Sequence, residues 1–173
     1  MRIALLSDTH VPAGLPELPG MLLERLDGVD RILHAGDLVR LSVVEQLASI
    51  APTTAVAGNM DPPEVRARLR DRETLTLAGR TIGLAHGHQP HALQSHYIGH
   101  NYDDEAFDLF YATMAAQLPG AEVIVFGHFH RPVVKRWHEI LFVNPGAIAP
   151  PHRSATYAIL DLGDELDVRI VDL

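Results

Sequence analysis

The sequence predicts an α/β fold that contains either one mixed β-sheet or two packed sheets. Short runs rich in Val, Ile and Leu, bounded by Gly, Pro, Asn or Asp, recur along the chain and indicate buried strands. Helix-like stretches separate the early runs, a pattern typical of parallel strands joined by crossover helices. After residue 130 the runs follow one another without an intervening helix, which favours antiparallel hairpins.

The elements follow in chain order. Strands are predicted over residues 2–7, 31–34, 53–57, 74–77, 81–86, 122–126, 133–137, 140–143, 155–161 and 166–171. Helices are predicted over residues 16–27, 41–50, 62–70 and 103–118, the last from apolar residues at helical spacing. The intervening segment 87–102 carries Gly and His residues and is predicted to be a loop. Because 173 residues with 47% hydrophobic side chains suffice for one sizeable core, we expect a single domain over residues 1–173.

Composition excludes several classes of function. The chain has 14 basic and 22 acidic residues and a net charge of -8, so we expect its surface to repel nucleic acid and anionic membranes. It contains no Cys, which excludes disulfides, thiolate metal sites and cysteine nucleophiles. The apolar N-terminal run is predicted to be a strand and not a signal peptide, and no run has the roughly 18 to 20 apolar residues of a membrane span. We therefore expect a cytoplasmic protein.

Polar side chains with metal-binding chemistry follow five of the predicted strands. The segments are Ser7-Asp8-Thr9-His10, His34-Ala35-Gly36-Asp37, Gly58-Asn59, His86-Gly87-His88 and Gly127-His128-Phe129-His130. Ligand sites of open α/β sheets lie at the carboxyl ends of strands. Taken singly, each segment is also explained by turn chemistry, and Gly-Asp and Gly-Asn are ordinary turn dipeptides. Five such segments, each at a strand end, together predict a site for two metal ions.

Local geometry suggests how these segments could bind metal. In an extended backbone, residues two apart point to the same side, so Asp8 and His10 could present an oxygen and a nitrogen to one ion. Gly36 permits a tight turn, and the carboxylate of Asp37 after it could bridge two cations. Asn59 could supply a neutral oxygen.

In these motifs the chain resembles the calcineurin-like metallophosphoesterase superfamily, and in particular its small single-domain prokaryotic phosphodiesterases. His130-Arg131-Pro132 and Asn144-Pro145-Gly146 strengthen the resemblance to that subgroup, and the likeness covers most of the chain. The resemblance implies a four-layer α/β/β/α sandwich of two mixed sheets flanked by helices. It also implies two divalent metal ions, Mn²⁺ above all, with Fe, Zn, Ni or Co as alternatives that suit these nitrogen and oxygen ligands.

The resemblance implies a ligand set for each metal. One ion would be held by Asp8, His10, Asp37 and His130. The other would be held by Asp37, Asn59, His86 and His128, so that Asp37 bridges the two. Two such ions would bind phosphate despite the negative net charge, and a hydroxide bridging them would be the nucleophile.

The sequence departs from the wider superfamily after the Gly-Asn pair. Many members have a His there that is proposed to protonate the leaving oxygen, whereas this chain has Met60-Asp61. Because general acid catalysis is typically worth about 10² to 10⁴ in rate, we expect phosphodiesters with good leaving groups to be preferred over alkyl monoesters. Asp61 either orients a ligand or water, or caps the helix that follows Pro62-Pro63.

Other polar residues have weaker assignments. His88 is a candidate substrate contact or a supporting histidine, and His34 either supports a ligand or is a satisfied strand residue. The segment 87–102 is expected to select the substrate, with His91, His96 and His100 either lining a lid or exposed. Arg131 and Arg153 either contact phosphate or form surface ion pairs.

The function expected from these residues is a metal-dependent phosphodiesterase acting on small phosphodiesters or nucleotides. The oligomeric state cannot be read from the residues, but the resemblance allows a homo-oligomer, because relatives of this kind often form dimers or larger assemblies. The main alternative is a non-enzymatic, metal-binding interaction module, because a retromer coat subunit shares the fold of this superfamily and has lost catalytic competence. The competent residues at all seven ligand positions favour the enzyme. A nuclease is disfavoured because the chain has no basic, aromatic-interleaved stripe.

Overall fold

The architecture is taken from a computed structural model, which describes residues 1–149 and 154–173. The ten strands are β1 (Arg2–Leu6), β2 (Arg31–His34), β3 (Thr53–Ala55), β4 (Arg72–Leu77), β5 (Arg80–Ala85), β6 (Val123–Val125), β7 (Val133–Trp137), β8 (Ile140–Asn144), β9 (Thr156–Leu162) and β10 (Leu166–Asp172). The α-helices are α1 (Gly20–Arg25), α2 (Ser42–Ala48), α3 (Pro63–Arg66), α4 (His91–Gln94) and α5 (Asp108–Gln117), and a 3-10 turn at Glu105–Phe107 precedes α5. Each strand lies at a predicted position, within a few residues at its ends.

The strands form two mixed sheets of five. The first has the order β10-β9-β1-β2-β3, with β1, β2 and β3 parallel and β9 antiparallel to both β1 and β10. The second has the order β4-β5-β6-β8-β7, with β5, β6 and β8 parallel and antiparallel strands at both edges. The predicted parallel crossovers at the beginning of the chain and the hairpins at its end are both confirmed.

Side chains alternate between the two faces of each sheet, and this alternation produces the separate core layers. In β1, Ile3 and Leu5 join a core between the sheets with residues such as Leu84 and Val125 of the second sheet. Ala4 and Leu6 point the other way, into a core shared with α1 and α2. The outer face of the second sheet packs on α5 through an aromatic cluster that includes Phe110. The order helix, sheet, sheet, helix confirms the predicted four-layer sandwich.

The helices are shorter than the sequence suggested. The helix predicted from residue 16 begins at Gly20, because Pro19 has an extended ψ of 130° and precedes the first helical turn. The helix predicted over 62–70 ends at Arg66, and Arg70 already pairs with Val56 in a β-bridge. The segment 87–102 was predicted to be entirely loop, but it contains α4.

The sheets bring the loops after their parallel strands to one edge of the molecule. The Asp8 N–H, after β1, donates to the carbonyl of Gly36, after β2, at 3.0 Å. Across the two sheets, the His128 N–H, after β6, donates to Asp8 Oδ2 at 3.1 Å. Polar residues far apart in sequence therefore meet at this edge.

Within the described ranges, no helix is long and apolar enough to cross a membrane.

Candidate metal centre

All seven residues predicted as metal ligands lie in loops that follow parallel strands at this edge. Asp8 and His10 follow β1, Asp37 follows β2, and Asn59 follows β3 in the first sheet. In the second sheet His86 comes directly after β5, and His128 and His130 follow β6. The two carboxylates and His86 are buried, whereas Asn59 is exposed and the other three histidines are partly buried.

The backbone of this edge differs from the extended conformation that the sequence analysis assumed. Five of the seven residues have a left-handed backbone, with φ of 54° at Asp8, 47° at His10, 58° at Asp37, 68° at His128 and 53° at His130. Such backbone is uncommon for residues other than Gly, costs on the order of 1 kcal/mol or more each, and is concentrated at functional sites. The ligand atoms therefore converge through tight left-handed turns and not through the pleat of a strand.

One group of converging atoms consists of Asp8, His10 and His130. Asp8 Oδ1 lies 3.1 Å from His130 Nε2 and 3.7 Å from His10 Nε2. The two imidazole Nε2 atoms are 3.3 Å apart. Two nitrogens that each lie about 2.1 Å from a single ion, at an angle near 100°, are separated by roughly this distance. These three residues are thus placed to share one cation.

A second group consists of Asp8, Asp37 and His86, with Asn59 beside it. His86 Nε2 lies 3.2 Å from Asp37 Oδ2 and 3.0 Å from Asn59 Oδ1. Geometrically the two groups share Asp8, whereas the family resemblance makes Asp37 the bridge. Asp37 Oδ2 also lies 3.9 Å from His10 Nε2, so this oxygen lies between the groups and can serve either. His128 belongs to neither group, and its ring centroid lies 5.3 Å from that of His86.

The protonation of His86 tests whether a cation fits. Its Nδ1 lies 2.7 Å from the carbonyl oxygen of Ala35, which can only accept, so Nδ1 carries a proton. In a neutral imidazole, Nε2 then presents a lone pair to the oxygens of Asp37 and Asn59, which repel it. A proton or a metal ion among these three atoms removes the repulsion, and a hydrogen bond from Nδ1 to a carbonyl is a common support for a metal-binding histidine.

The carboxylate of Asp8 leads to the same conclusion. Asp8 is completely buried, and its Oδ1 receives no hydrogen bond from the described residues, although two imidazoles lie beside it. A buried carboxylate oxygen without a donor is costly unless a cation compensates it. The residues present therefore fit divalent metal ions at both groups.

The electrostatics keep the acids ionised. Burial works to raise the pKa of Asp8, but the His130 and His86 imidazoles outweigh burial and lower that pKa. The pKa of Asp37 is lowered in the same way, against burial, chiefly by His86. At neutral pH two carboxylate charges thus lie within a few ångströms of each other, an arrangement that attracts cations.

Comparison with known proteins identifies the family. The model of the calcineurin-like phosphoesterase superfamily domain matches residues 1–165. The chain belongs to this superfamily. A probable metallophosphoesterase of Methanothermobacter thermautotrophicus is 29% identical over 99% of this chain and 92% of its own length. A phosphodiesterase of Methanocaldococcus jannaschii is 24% identical over 84% of this chain and 83% of its own length.

Among solved structures, a Vps29 variant from Entamoeba histolytica has the same fold as this chain. Its TM-score is 0.74, with 24% identity over 100% of this chain and 99% of that chain. This likeness shows the fold alone. Taken with the superfamily match, it shows that this sandwich of two mixed sheets is the fold of the family.

Asp61 is a supporting residue, although the sequence left its role open. Its buried carboxylate accepts backbone N–H groups of Asp37 at 3.1 Å, Val39 at 2.6 Å and Gly58 at 2.7 Å. The alternative that it caps the following helix is wrong, because Pro62 occupies the N-cap and α3 has no side-chain cap. Asp61 thus ties the loop of Asp37 to the loop of Asn59.

Close contact between the same two loops also explains Gly58. A Cβ added there would lie 2.1 Å from Asp37 Oδ1 and 2.5 Å from the backbone nitrogen of Asp37. Gly36 has a φ of 93°, which confirms the predicted tight turn before Asp37. The Gly-Asp and Gly-Asn pairs are therefore required by this packing and are more than ordinary turns.

Asn144 supports the loop of His128, and its role was not predicted from the sequence. Its buried carboxamide donates to the carbonyl of Gly127 at 2.8 Å and accepts the N–H of Gly146 at 2.9 Å. The sequence signal was an Asn at the end of an apolar strand, where an unpaired amide would be costly.

His34 proves to be a buried supporting histidine with both ring nitrogens paired. The Gly36 N–H donates to its Nδ1 at 3.2 Å, so Nε2 carries the proton and lies 3.3 Å from Thr9 Oγ1. Burial lowers the pKa of His34 to about 3, so the ring is neutral at physiological pH. It connects the loop of Asp8 and His10 to the loop of Asp37.

The neutral His34 predicts a dependence of stability on pH. In the unfolded chain His34 binds a proton below its ordinary pKa of 6.5, but in the folded protein it does so only near pH 3. Falling pH between these values therefore favours unfolding, and the contribution is fully present above pH 6.5. The prediction is tested by urea unfolding of metal-free wild-type and His34→Gln protein between pH 3 and 6.5. The increase in unfolding free energy with pH should be smaller in His34→Gln by about 1.4 kcal/mol per pH unit. The exposed His96→Gln should retain the wild-type slope, and equal slopes in wild type and His34→Gln would contradict the assignment.

The remaining predicted residues have different surroundings. His88 is partly buried beside His86, with ring centroids 5.5 Å apart, and burial lowers its pKa. His91, His96 and His100 are exposed. Arg131 stacks on the Tyr102 ring at 4.7 Å and donates to the His100 carbonyl at 2.8 Å, two contacts that the sequence analysis did not predict. Arg153 lies outside the described residues.

Segment 87–102 reaches the candidate centre through Gln94, which the sequence analysis did not single out. Its Nε2 lies 3.2 Å from His128 Nε2, from a position on α4. Tyr97 anchors the segment, because its ring is buried and packs against Phe107 and Phe110. The segment therefore borders the site through this contact, and its expected role in selecting the substrate stays a prediction.

Proposed function

We propose that this protein is a phosphodiesterase that hydrolyses small phosphodiesters or nucleotides at a centre of two divalent ions. The observation that carries the proposal is the convergence of two buried carboxylates, whose pKa values are lowered, with the imidazole nitrogens of His10, His86 and His130. Superfamily membership supplies the chemistry, phosphoester hydrolysis, and a curated relative is named a phosphodiesterase.

The proposed ligands are those that the resemblance implies. Asp8, His10, Asp37 and His130 would hold one ion, and Asp37, Asn59, His86 and His128 the other. The distances within the first group, and those among Asp37, Asn59 and His86, support this assignment. His128 Nε2 must exchange its contact with Gln94 for the metal. Mn²⁺ is proposed as the native ion, with Fe, Zn, Ni or Co as alternatives, because imidazole, carboxylate and amide ligands suit first-row metals.

The chain's own residues prepare the site for phosphate. When bound, the two ions would polarise the phosphoryl oxygens and activate the attacking water. Asp8 and Asp37 would hold the cations, and burial of both carboxylates keeps competing water away. Asp61, His34 and Asn144 fix the loops before substrate arrives, so little reorganisation is needed.

Protonation of the leaving group lacks the His that many members of the wider superfamily have after the Gly-Asn pair. The side chain of Met60, which replaces the superfamily His, is exposed and has no proton to donate. We therefore propose that phosphodiesters with acidic leaving groups are hydrolysed far better than alkyl monoesters.

Hydrolysis of bis(p-nitrophenyl) phosphate tests the proposal. Metal-stripped protein should be inactive. Mn²⁺, Ni²⁺, Co²⁺, Zn²⁺ or Mg²⁺ should be added back separately, and an alkyl phosphate monoester serves as the comparison because its leaving group is poor. We expect metal-dependent hydrolysis of the diester, strongest with Mn²⁺ and weaker on the monoester. Protein that binds two ions but hydrolyses neither compound would contradict the proposal and favour the interaction module, which the shared fold with Vps29 keeps as the alternative.

The proposal extends to the whole chain. We propose that residues 1–173 form one domain, which the family match over residues 1–165 supports. The net charge of -8 supports a small substrate over nucleic acid. Homo-oligomerisation and a cytoplasmic location remain predictions.

A further inference from the structure

A cavity of about 370 Å³ opens directly beside the candidate metal centre. Its walls include Arg72, His88, Gln89 and Gln117, and we call it the glutamine pocket. The partly buried His88 also lies beside the centre, because its ring centroid is 5.5 Å from that of His86 and 6.3 Å from that of His128. The volume falls within the range of about 300 to 1,000 Å³ typical of small-molecule sites. A ligand with its phosphorus at the metals could therefore extend into the pocket.

Two carboxamides in the pocket have unused hydrogen-bonding capacity. Gln89 is 7% exposed, and its Nε2 donates only to Met114 Sδ, a weak acceptor, at 3.5 Å. Its Oε1 accepts from Gln117 Nε2 at 3.4 Å, a long hydrogen bond. Across residues 1–149 and 154–173 these are the only side-chain hydrogen bonds of either glutamine. Each carboxamide has two N–H donors and an oxygen with two lone pairs, so donors and acceptors remain for a ligand.

The charges of the pocket indicate an uncharged ligand group. Apart from the histidines, the charged lining residues are Asp71 and Arg72, whose formal charges cancel. A second phosphate or a carboxylate would gain little attraction there, whereas a neutral group with alternating donors and acceptors would be matched. The apolar Ala85 and Pro90 complete the lining and suit a flat ring.

We propose that the glutamine pocket binds the nucleobase of a nucleotide substrate, with Gln89 and Gln117 pairing to the edge of the base. Carboxamides recognise base edges because they present a donor and an acceptor side by side. The inference rests on the proposed function, since it assumes that the phosphorus lies at the metal centre. It narrows the substrate class from phosphodiesters in general to nucleotides.

Calorimetric binding to Mn²⁺-loaded protein tests the pocket without turnover. The probes are the four common nucleoside 5′-monophosphates and ribose 5-phosphate, which has the same phosphate and sugar but no base. At least one monophosphate should bind tenfold or more tightly than ribose 5-phosphate. Gln117→Leu, at a partly exposed site at the end of α5, should abolish that difference and leave ribose 5-phosphate affinity unchanged. Gln46 is exposed on α2, which packs on the other sheet, and Gln46→Leu should retain the preference for the monophosphate over ribose 5-phosphate.

Either of two results would overturn the inference: all four monophosphates binding no more tightly than ribose 5-phosphate, or a base preference that persists in Gln117→Leu protein of wild-type thermal stability. Parallel assays of bis(p-nitrophenyl) phosphate hydrolysis show whether the nucleobase pocket or the proposed phosphodiesterase activity is wrong. Diester hydrolysis without base preference would refute the pocket alone. Base-dependent binding without any hydrolysis would support the pocket and refute the phosphodiesterase.

Discussion

Replacing Asp37 by alanine should reduce metal-dependent hydrolysis of bis(p-nitrophenyl) phosphate by about a thousandfold or more, because loss of a metal site removes several kcal/mol of transition-state stabilisation. Asp37 Oδ2 lies between the two groups, 3.2 Å from His86 Nε2 and 3.9 Å from His10 Nε2, so its loss affects both ions. Steady-state kinetics with added Mn²⁺, together with calorimetric counting of bound Mn²⁺, would measure the effect on activity and on metal content.

A second substitution at this position separates charge from structure. Asp37 Oδ1 accepts the Met60 N–H at 2.7 Å, and the oxygen of Asp37→Asn can still accept this bond. We expect Asp37→Asn to fold as the wild type does and yet to lose most of the activity, because the amide lacks the charge. The exposed Asp27→Ala serves as the control. Activity of Asp37→Ala within tenfold of the wild type would show that Asp37 does not hold the catalytic metals.

Replacing Asp61 by alanine should lower the free energy of unfolding of the metal-free protein by about 3 kcal/mol, since three backbone N–H groups lose their acceptor and each unpaired donor costs roughly 1 to 3 kcal/mol when buried. The same change should weaken Mn²⁺ binding by about 10- to 100-fold, the usual effect of removing a residue that supports metal ligands. Mn²⁺ binding should weaken because Asp61 joins the loop of Asp37 to that of Asn59 and so holds both proposed ligands in position. Urea unfolding measures the first effect and calorimetry the second.

Asp61→Asn provides a graded comparison. One oxygen of Asp61 accepts both the Asp37 and Gly58 N–H groups, and the other accepts the Val39 N–H. An amide can retain the first pair of bonds but places an NH₂ group against the Val39 N–H. Stability and Mn²⁺ affinity should therefore lie between those of the wild type and Asp61→Ala. Mn²⁺ affinity unchanged in Asp61→Ala would limit Asp61 to a structural role.

The sequence predicted the strands well because their signal is local. Each buried strand is a short run of Val, Ile and Leu ended by residues that favour turns, and the ten observed strands lie where those runs occur. The predicted helix ends were less accurate. The extended backbone of Pro19 delays the start of α1, and Arg70 pairs with Val56 in a β-bridge instead of continuing α3. The partition of the strands between two sheets came from the family resemblance, since β9 pairs with β1 across more than 150 residues of chain.

The sequence by itself determined which residues could form the candidate centre, because imidazoles and carboxylates at the ends of apolar strands are a local pattern. It did not determine how they converge. The left-handed turns at Asp8, His10 and Asp37, and the contact of Asp61 with three backbone N–H groups, depend on loops from separate strands meeting. The pairing of Gln89 with Gln117 likewise joins the loop after β5 to the end of α5. Such contacts form only when the two sheets pack, so the tertiary structure alone decided them.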